Sequence, residues 1–267
     1  MRVTLDAGHY GKYNQSPVNK AFYESDFTWK ITNYMKEYFE EKGVQVKLTR
    51  TDKNKDLDLF TRGFRSTNSD IFISNHANAC NKESVDFPVV IRGFNEPATD
   101  KLALELAKEI GKIIGTKQEG KTWTRKKENS NQEWYGVLRG AKNAGTNYRF
   151  IIEHGFYTNK HCANFLLKED NIKKLAKAEV DIICKYFKVK ENFPIGKNSH
   201  YVEVLQNNLN VRDFADWKCK PIFTVNKGEV FTVIKEVPAK NGNQNMYLLK
   251  SGLYITSNKK YVKDIYK

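Results

Sequence analysis

The sequence predicts an α/β domain with a largely parallel, or mixed, twisted sheet flanked by helices, followed by a small all-β barrel. Three observations predict it. Short apolar strands alternate with amphipathic helical stretches through residue 187, which is the pattern of a sheet covered by helices. Polar residues close several of those strands (Asp6–His9, Asn75–Asn78, Glu153–Phe156), and open α/β sheets bind ligands beyond their strand carboxyl ends. Helical periodicity then stops near residue 190, and only short strands with turn signals follow.

The elements read as follows. Arg2–Leu5 is a strand ending in Asp-Ala-Gly-His, and turn-rich residues 11–20 come next. Ser25–Lys42 has helical spacing, with Phe27, Ile31, Tyr34, Met35, Tyr38 and Phe39 on one face and Gly43 as a stop. Val44–Thr49 is a strand, Leu57–Ser66 a short helix, Asp70–Asn75 a third strand and β-branched Val85–Arg92 a fourth. Asp100–Gly115 is amphipathic, with Leu102, Leu106, Ile110 and Ile113/Ile114 directed inward. Lys117–Glu133 is polar, basic and aperiodic and reads as a loop. Tyr148–Glu153 is a strand and Asn171–Phe187 a last helix. Residues 191–199 read as a linker. His200–Leu205, Leu209–Arg212, Glu229–Glu236, Met246–Lys250 and Leu253–Thr256 are the strands of the barrel. The expected domains are therefore 1–190 and 200–267.

At 267 residues the chain holds one large domain and a small one. No stretch reaches the roughly 18 apolar residues of a spanning helix, which argues against membrane insertion. The start, Met-Arg-Val-Thr-Leu-Asp-Ala-Gly-His, is broken by Asp6 and His9 before an apolar core can form, so no export signal is expected and the chain is taken to be made in the cytoplasm. Cys80, Cys162, Cys184 and Cys219 are scattered without a C-x-x-C pair, which suits reduced thiols; Cys80 is expected to be a small buried residue. The net charge of +14 divides into +9 for residues 1–190 and +5 for 191–267, so it is not confined to one tail. Such a surface favours polyanions: nucleic acid, anionic lipid or an anionic bacterial wall. No helix-turn-helix or zinc-finger spacing is present, which leaves nucleic acid without a reading motif.

His9 and His76 each follow a strand, and Glu24 opens the first long helix. Hydrolytic zinc sites use three N and O ligands and leave a fourth position for water, and a His-Glu-His set meets that need. Bound zinc lowers the pKa of water to roughly 7, and Glu153, at the end of a later strand, is placed to act as general base. Each residue also has a plainer role: a strand-end histidine as a cap, Glu24 as a complement to the helix dipole, Glu153 as an ion-pair partner. His154 is expected on the opposite face of its strand from Glu153; it, His161 and His200 are not expected to be ligands.

Several segments taken in order resemble the zinc-dependent N-acetylmuramoyl-L-alanine amidases of sporulation autolysins, daughter-cell separation and phage endolysins. They are Leu5-Asp-Ala-Gly-His9, Tyr23-Glu24-Ser25, Gly43–Arg50 ending in Thr-Arg, Leu59-Phe-Thr-Arg62, Asn68–Asn78 around His76, Gly136-Val-Leu-Arg139 and Phe150–Asn159 around Glu153. The resemblance covers roughly residues 1–188 and implies a zinc site of His9, Glu24 and His76 with Glu153 as the catalytic carboxylate. The segment Tyr10–Lys20 departs from it, standing where that family carries a glycine-rich stretch. The tail resembles a bacterial Src-homology-3-like domain through Leu209-Asn-Val-Arg212, Lys227–Val233 and Leu253–Val262. What the two resemblances imply is a peptidoglycan hydrolase that cuts the bond between N-acetylmuramic acid and L-alanine. Its partners are peptidoglycan and the wall's anionic polymers. It reaches the wall after release, as a phage or prophage endolysin, with a host autolysin or a non-catalytic wall-binding protein as alternatives.

Overall fold

In the computed structural model, which describes residues 1–189 and 200–266, the chain forms two compact units, Met1–Lys190 and Glu191–Lys267. The linker expected at 191–199 lies outside the described residues. The first unit contains strands β1 (Arg2–Ala7), β2 (Gln45–Leu48), β3 (Ile71–Asn78), β4 (Val89–Arg92), β5 (Lys121–Trp123) and β6 (Tyr148–Phe156). Its helices are α1 (Glu24–Glu41), α2 (Leu59–Phe64), α3 (Asp100–Ile114), α4 (Gly136–Asn143), α5 (Lys160–Leu167) and α6 (Glu169–Tyr186).

The sheet order is β2-β1-β3-β6-β4-β5. β2, β1, β3 and β6 run parallel, β4 opposes β6, and β5 runs parallel to β4 at the edge. The sheet is thus mostly parallel with a reversed pair at one side. Its registers set Ala7 opposite Asn75 and His76 opposite Glu153, so the polar ends of three strands share one rim.

Side-chain alternation along β6 assigns the helices to faces. Ile151 packs with Phe72, Val89 and Ile91 against Val137, Leu138 and Ala141 of α4. His154, of the opposite parity, meets Glu179 of α6 and the Phe27 ring of α1. The long helices bury the residues their periodicity selects: Phe27, Ile31, Met35 and Phe39 in α1, and Leu102, Leu106, Ile110 and Ile114 in α3. Gly43 (φ +74°) and Gly115 (φ +76°) end these helices in the left-handed conformation that glycine adopts without steric cost.

Four sequence expectations change. Lys117–Glu133 is not all loop, since Lys121–Trp123 adds an edge strand and Lys126 bridges Glu133. Three residues are too few to show an alternating period. The fourth strand begins at Val89 rather than Val85. α4 and α5 are additional helices of eight residues each, too short for a clear apolar stripe. Cys80 is half-buried rather than buried.

In the second unit β7 (His200–Val204), β10 (Val230–Val237), β11 (Met246–Leu249), β12 (Tyr254–Thr256) and β13 (Val262–Tyr266) form an antiparallel sheet in the order β12-β11-β10-β7-β13. β8 (Leu209–Val211) and β9 (Phe223–Val225) form a ribbon joined to it by the Arg212–Tyr254 bridge. Val202, Val204, Val211, Val233, Leu249, Ile255 and Val262 share one apolar core. No helix among the described residues is long and apolar enough to cross a membrane.

Candidate active site

The Asp-Ala-Gly-His turn at the end of β1 is fixed from every side. The buried Asp6 carboxylate accepts from Thr49 Oγ1 at 2.5 Å and Ser74 Oγ at 2.7 Å, and pairs with Arg62 at 3.3 Å. Gly8 N–H donates to the Asn75 carbonyl at 3.0 Å, and Thr28 Oγ1 donates to the Gly8 carbonyl at 2.6 Å. A Cβ on residue 8 would lie 2.4 Å from His76 Cε1, so glycine is what lets the His76 ring approach the turn. His9 itself has φ +58°, uncommon for a residue with a side chain. Arg50 and Arg62 hold it there. Arg50 donates to the carbonyls of Ala7 (3.0 Å) and His9, and Arg62 to the same two at 2.8 and 3.4 Å. These are the arginines of the Thr-Arg50 and Phe-Thr-Arg62 segments.

Glu24 opens α1, where Asn14 and Tyr13 carbonyls accept the first backbone N–H groups. Its side chain is 3% exposed. Oε1 accepts from Ala77 N–H at 3.0 Å and lies 3.0 Å from His76 Nδ1; Oε2 lies 3.1 Å from His9 Nε2 and accepts from Asn14 Nδ2 at 2.6 Å. The ligating atoms of His9, Glu24 and His76 all fall within 4.8 Å of one another. Sequence reasoning overlooked Asn14, whose amide also lies 3.2 Å from His9 Nε2. Its place in a turn-rich stretch gave no periodic signal.

The electrostatics suit a cation. Burial would raise the Glu24 carboxyl, but its bonds to His76 and His9 hold it far below the usual carboxylate range. Burial would lower His76, yet the bond to Glu24 and the charges of Glu24, Glu153 and Asp6 push it up to about 9. That negative field, with two imidazoles and one carboxylate converging, is what an N/O-ligated divalent ion requires. Glu153 lies beside the cluster, and its Oε2 is buried without a hydrogen bond to protein. Burial first, with the Glu24 charge added and only partly offset by His76, pushes its carboxyl up to about 7.

The other histidines lie elsewhere. His154 Nδ1 bonds the His76 carbonyl at 2.9 Å and its Nε2 meets buried Glu179 at 3.0 Å, fixing the β6 end from behind. His161 contacts the Ile114 carbonyl, and His200 pairs with Asp264 in the second unit.

A mostly parallel sheet with a His-Glu-His cluster and an unpaired carboxylate at its rim defines an α/β protein built around a candidate metal site. Residues 3–185 match the family model described as N-acetylmuramoyl-L-alanine amidase, and the chain belongs to that family. It is similar to an endolysin of Bacillus phage SPP1, 29% identical over 277 residues that cover 97% of each chain. Among solved structures it resembles an N-acetylmuramoyl-L-alanine amidase of Nostoc punctiforme, with 25% identity, TM-score 0.57, and coverage of 70% of this chain and 97% of that one. The fold is also that of an N-acetylmuramoyl-L-alanine amidase from Clostridium difficile 630, with TM-score 0.58, 23% identity, and coverage of 71% of this chain and 97% of that one.

Proposed function

We propose that the protein is a zinc-dependent peptidoglycan amidase and acts as a phage endolysin. In this reading His9, Glu24 and His76 hold the ion and Glu153 is the catalytic acid–base. The observation that carries it is the convergence of those three ligand atoms beside Glu153, whose Oε2 is buried with no hydrogen-bond partner. Zinc bound there supplies a Lewis acid and lowers the pKa of water. In the metal-free chain burial pushes the Glu153 carboxyl up to about 7, and its place beside the ligands suits it to exchange a proton with water held there. The Glu153 carboxylate takes the proton of the attacking water, and the resulting acid donates it to the leaving nitrogen of L-alanine. Arg50, Arg62 and Gly8 keep His9 and His76 in place, and Asn14 orients the Glu24 carboxylate. Such outer-shell partners tune ligand geometry and affinity.

The likeness to the phage endolysin extends over 97% of both chains and so includes the second unit. That unit is assigned as a Src-homology-3-like module that attaches the enzyme to peptidoglycan and anionic wall polymers after the protein is released from the cytoplasm. The deciding experiment is mass analysis of purified peptidoglycan after digestion with zinc-loaded protein. Stem peptides with a free L-alanine amine are expected, and fragments cut only within glycan or peptide would refute the assignment.

A further inference from the structure

Beside the cluster runs a ladder of rings that none of the above uses. Tyr13 stacks on His9 with centroids 5.1 Å apart and planes 11° from parallel. Tyr10 stacks on Tyr13 at 6.0 Å and 24°. Tyr10 is 38% and Tyr13 49% exposed, and Tyr13 lies directly against the proposed ligand His9.

We infer that Tyr10 and Tyr13 form the subsite for a pyranose ring of the glycan strand, the ring whose lactyl group carries the scissile amide; this rests on the amidase reading. Three arguments select a sugar. Three bonds separate the scissile carbonyl carbon from the sugar ring, a reach of about 4 Å, so that ring rests close to the ligands, and Tyr13 is the exposed ring that lies against His9. Stem peptides carry carboxylates and call for cations. Lys12 and Lys53, which flank this turn, both pair with Asp26, so neither ammonium is left without a carboxylate partner of its own. A pyranose instead presents apolar C–H groups, which the exposed portions of the two rings would cover.

The platform is also prearranged. Gly11 and Asn14 turn the chain at φ +55°. Gly11 N–H donates to the Lys53 carbonyl at 3.0 Å, and Tyr13 N–H donates to Ser25 Oγ at 2.9 Å. Ser25 Oγ donates back to the Gly11 carbonyl at 3.0 Å. Rings held in advance cost little further ordering when they bind.

The test uses the zinc-loaded full chain, a soluble disaccharide-tetrapeptide substrate, and two competitive inhibitors: the peptide-free disaccharide and the free stem peptide. Tyr10→Ala, Tyr13→Leu and, as a control, Trp123→Ala on the edge strand are compared with wild type, with zinc measured in each. The disaccharide Ki is expected to rise about five- to tenfold in both tyrosine variants. The stem-peptide Ki should stay within about twofold, and Trp123→Ala should change neither. Tyr13→Leu also removes a contact to His9. If it loses zinc, Tyr10→Ala, which leaves the His9–Tyr13 stack intact, decides the case. An unchanged disaccharide Ki in Tyr10→Ala, an equal rise for both inhibitors, or a hydrolysing wild type that the disaccharide does not inhibit would each overturn the subsite. A zinc-loaded wild type that cannot hydrolyse the substrate at all would instead show that the amidase reading is wrong, and the subsite with it.

Discussion

Glu153 is the residue at which stability and function oppose each other. In the metal-free folded chain, burial pushes its carboxyl up to about 7 from the ordinary value of 4.5. A raised acid of this kind leaves folding unpenalised below its unfolded pKa. The cost grows as pH rises from about 4.5 to 7, and above that the buried charge is fully expressed. Glu153→Gln should therefore stabilise the metal-free protein at pH 8 by on the order of 1–3 kcal/mol and leave it nearly unchanged at pH 4. The same variant should retain zinc and lose about 10²–10⁴-fold in turnover. Urea titrations at the two pH values, with metal analysis and a lysis assay, check all three. Near-normal turnover would mean that another group is the base. The proposed set of His9, Glu24, His76 and Glu153 was legible in the sequence from strand and helix termini together with the ordered family segments; the structure brings the first three together, and Glu153 lies inside β6 beside them. Asn14 and the Tyr10–Tyr13 ladder were not legible, since a turn carries no period that would aim a side chain.

At the scale of elements, length decided what the sequence revealed. α1 and α6 have 18 residues and α3 has 15, enough turns to display an apolar stripe. α4 has eight, two of them glycine, and glycine disfavours helix by about 1 kcal/mol relative to alanine. The structure supplies the reason for keeping them. A Cβ on Gly140 would lie 2.0 Å from the Phe60 carbonyl, and one on Gly63 of α2 would lie 1.8 Å from the Val137 carbonyl. The two helices thus pack backbone to backbone, and α2 carries Arg62, which holds Ala7 and His9. Local propensity and packing then predict opposite signs for Gly140→Ala. Propensity alone would stabilise by about 1 kcal/mol, whereas a methyl driven into a main-chain carbonyl costs about 1–3 kcal/mol or more. The second effect should win, lowering the urea midpoint of the first unit. A raised midpoint would mean that the helices separate freely and that Arg62 is not positioned by this contact.

At the scale of the whole molecule, the sequence breaks near residue 190 because helical periodicity ends there, and the chain divides into Met1–Lys190 and Glu191–Lys267. What the sequence could not show was how β4 and β5 reverse the sheet edge, since strand direction depends on pairing across distant segments. All four proposed zinc and catalytic residues lie in the first unit, which has its own cores on both faces of its sheet. Residues 1–190 should therefore fold and cleave soluble muropeptides at close to the full-length rate. On intact walls the fragment should be slower, because tethering a wall-binding module raises the local concentration of enzyme at its substrate without adding a catalytic contact. The tail carries +5. If charge alone binds it to anionic polymer, physiological salt should release most of it, since the Debye length falls to about 8 Å. If aromatic and apolar contacts contribute, a salt-resistant fraction should remain. Sedimentation of each fragment with purified walls, at low salt and at about 0.15 M, separates the cases. A tail that stays in the supernatant at low salt, while residues 1–190 pellet as well as the full chain, would transfer the wall-binding role to the first unit.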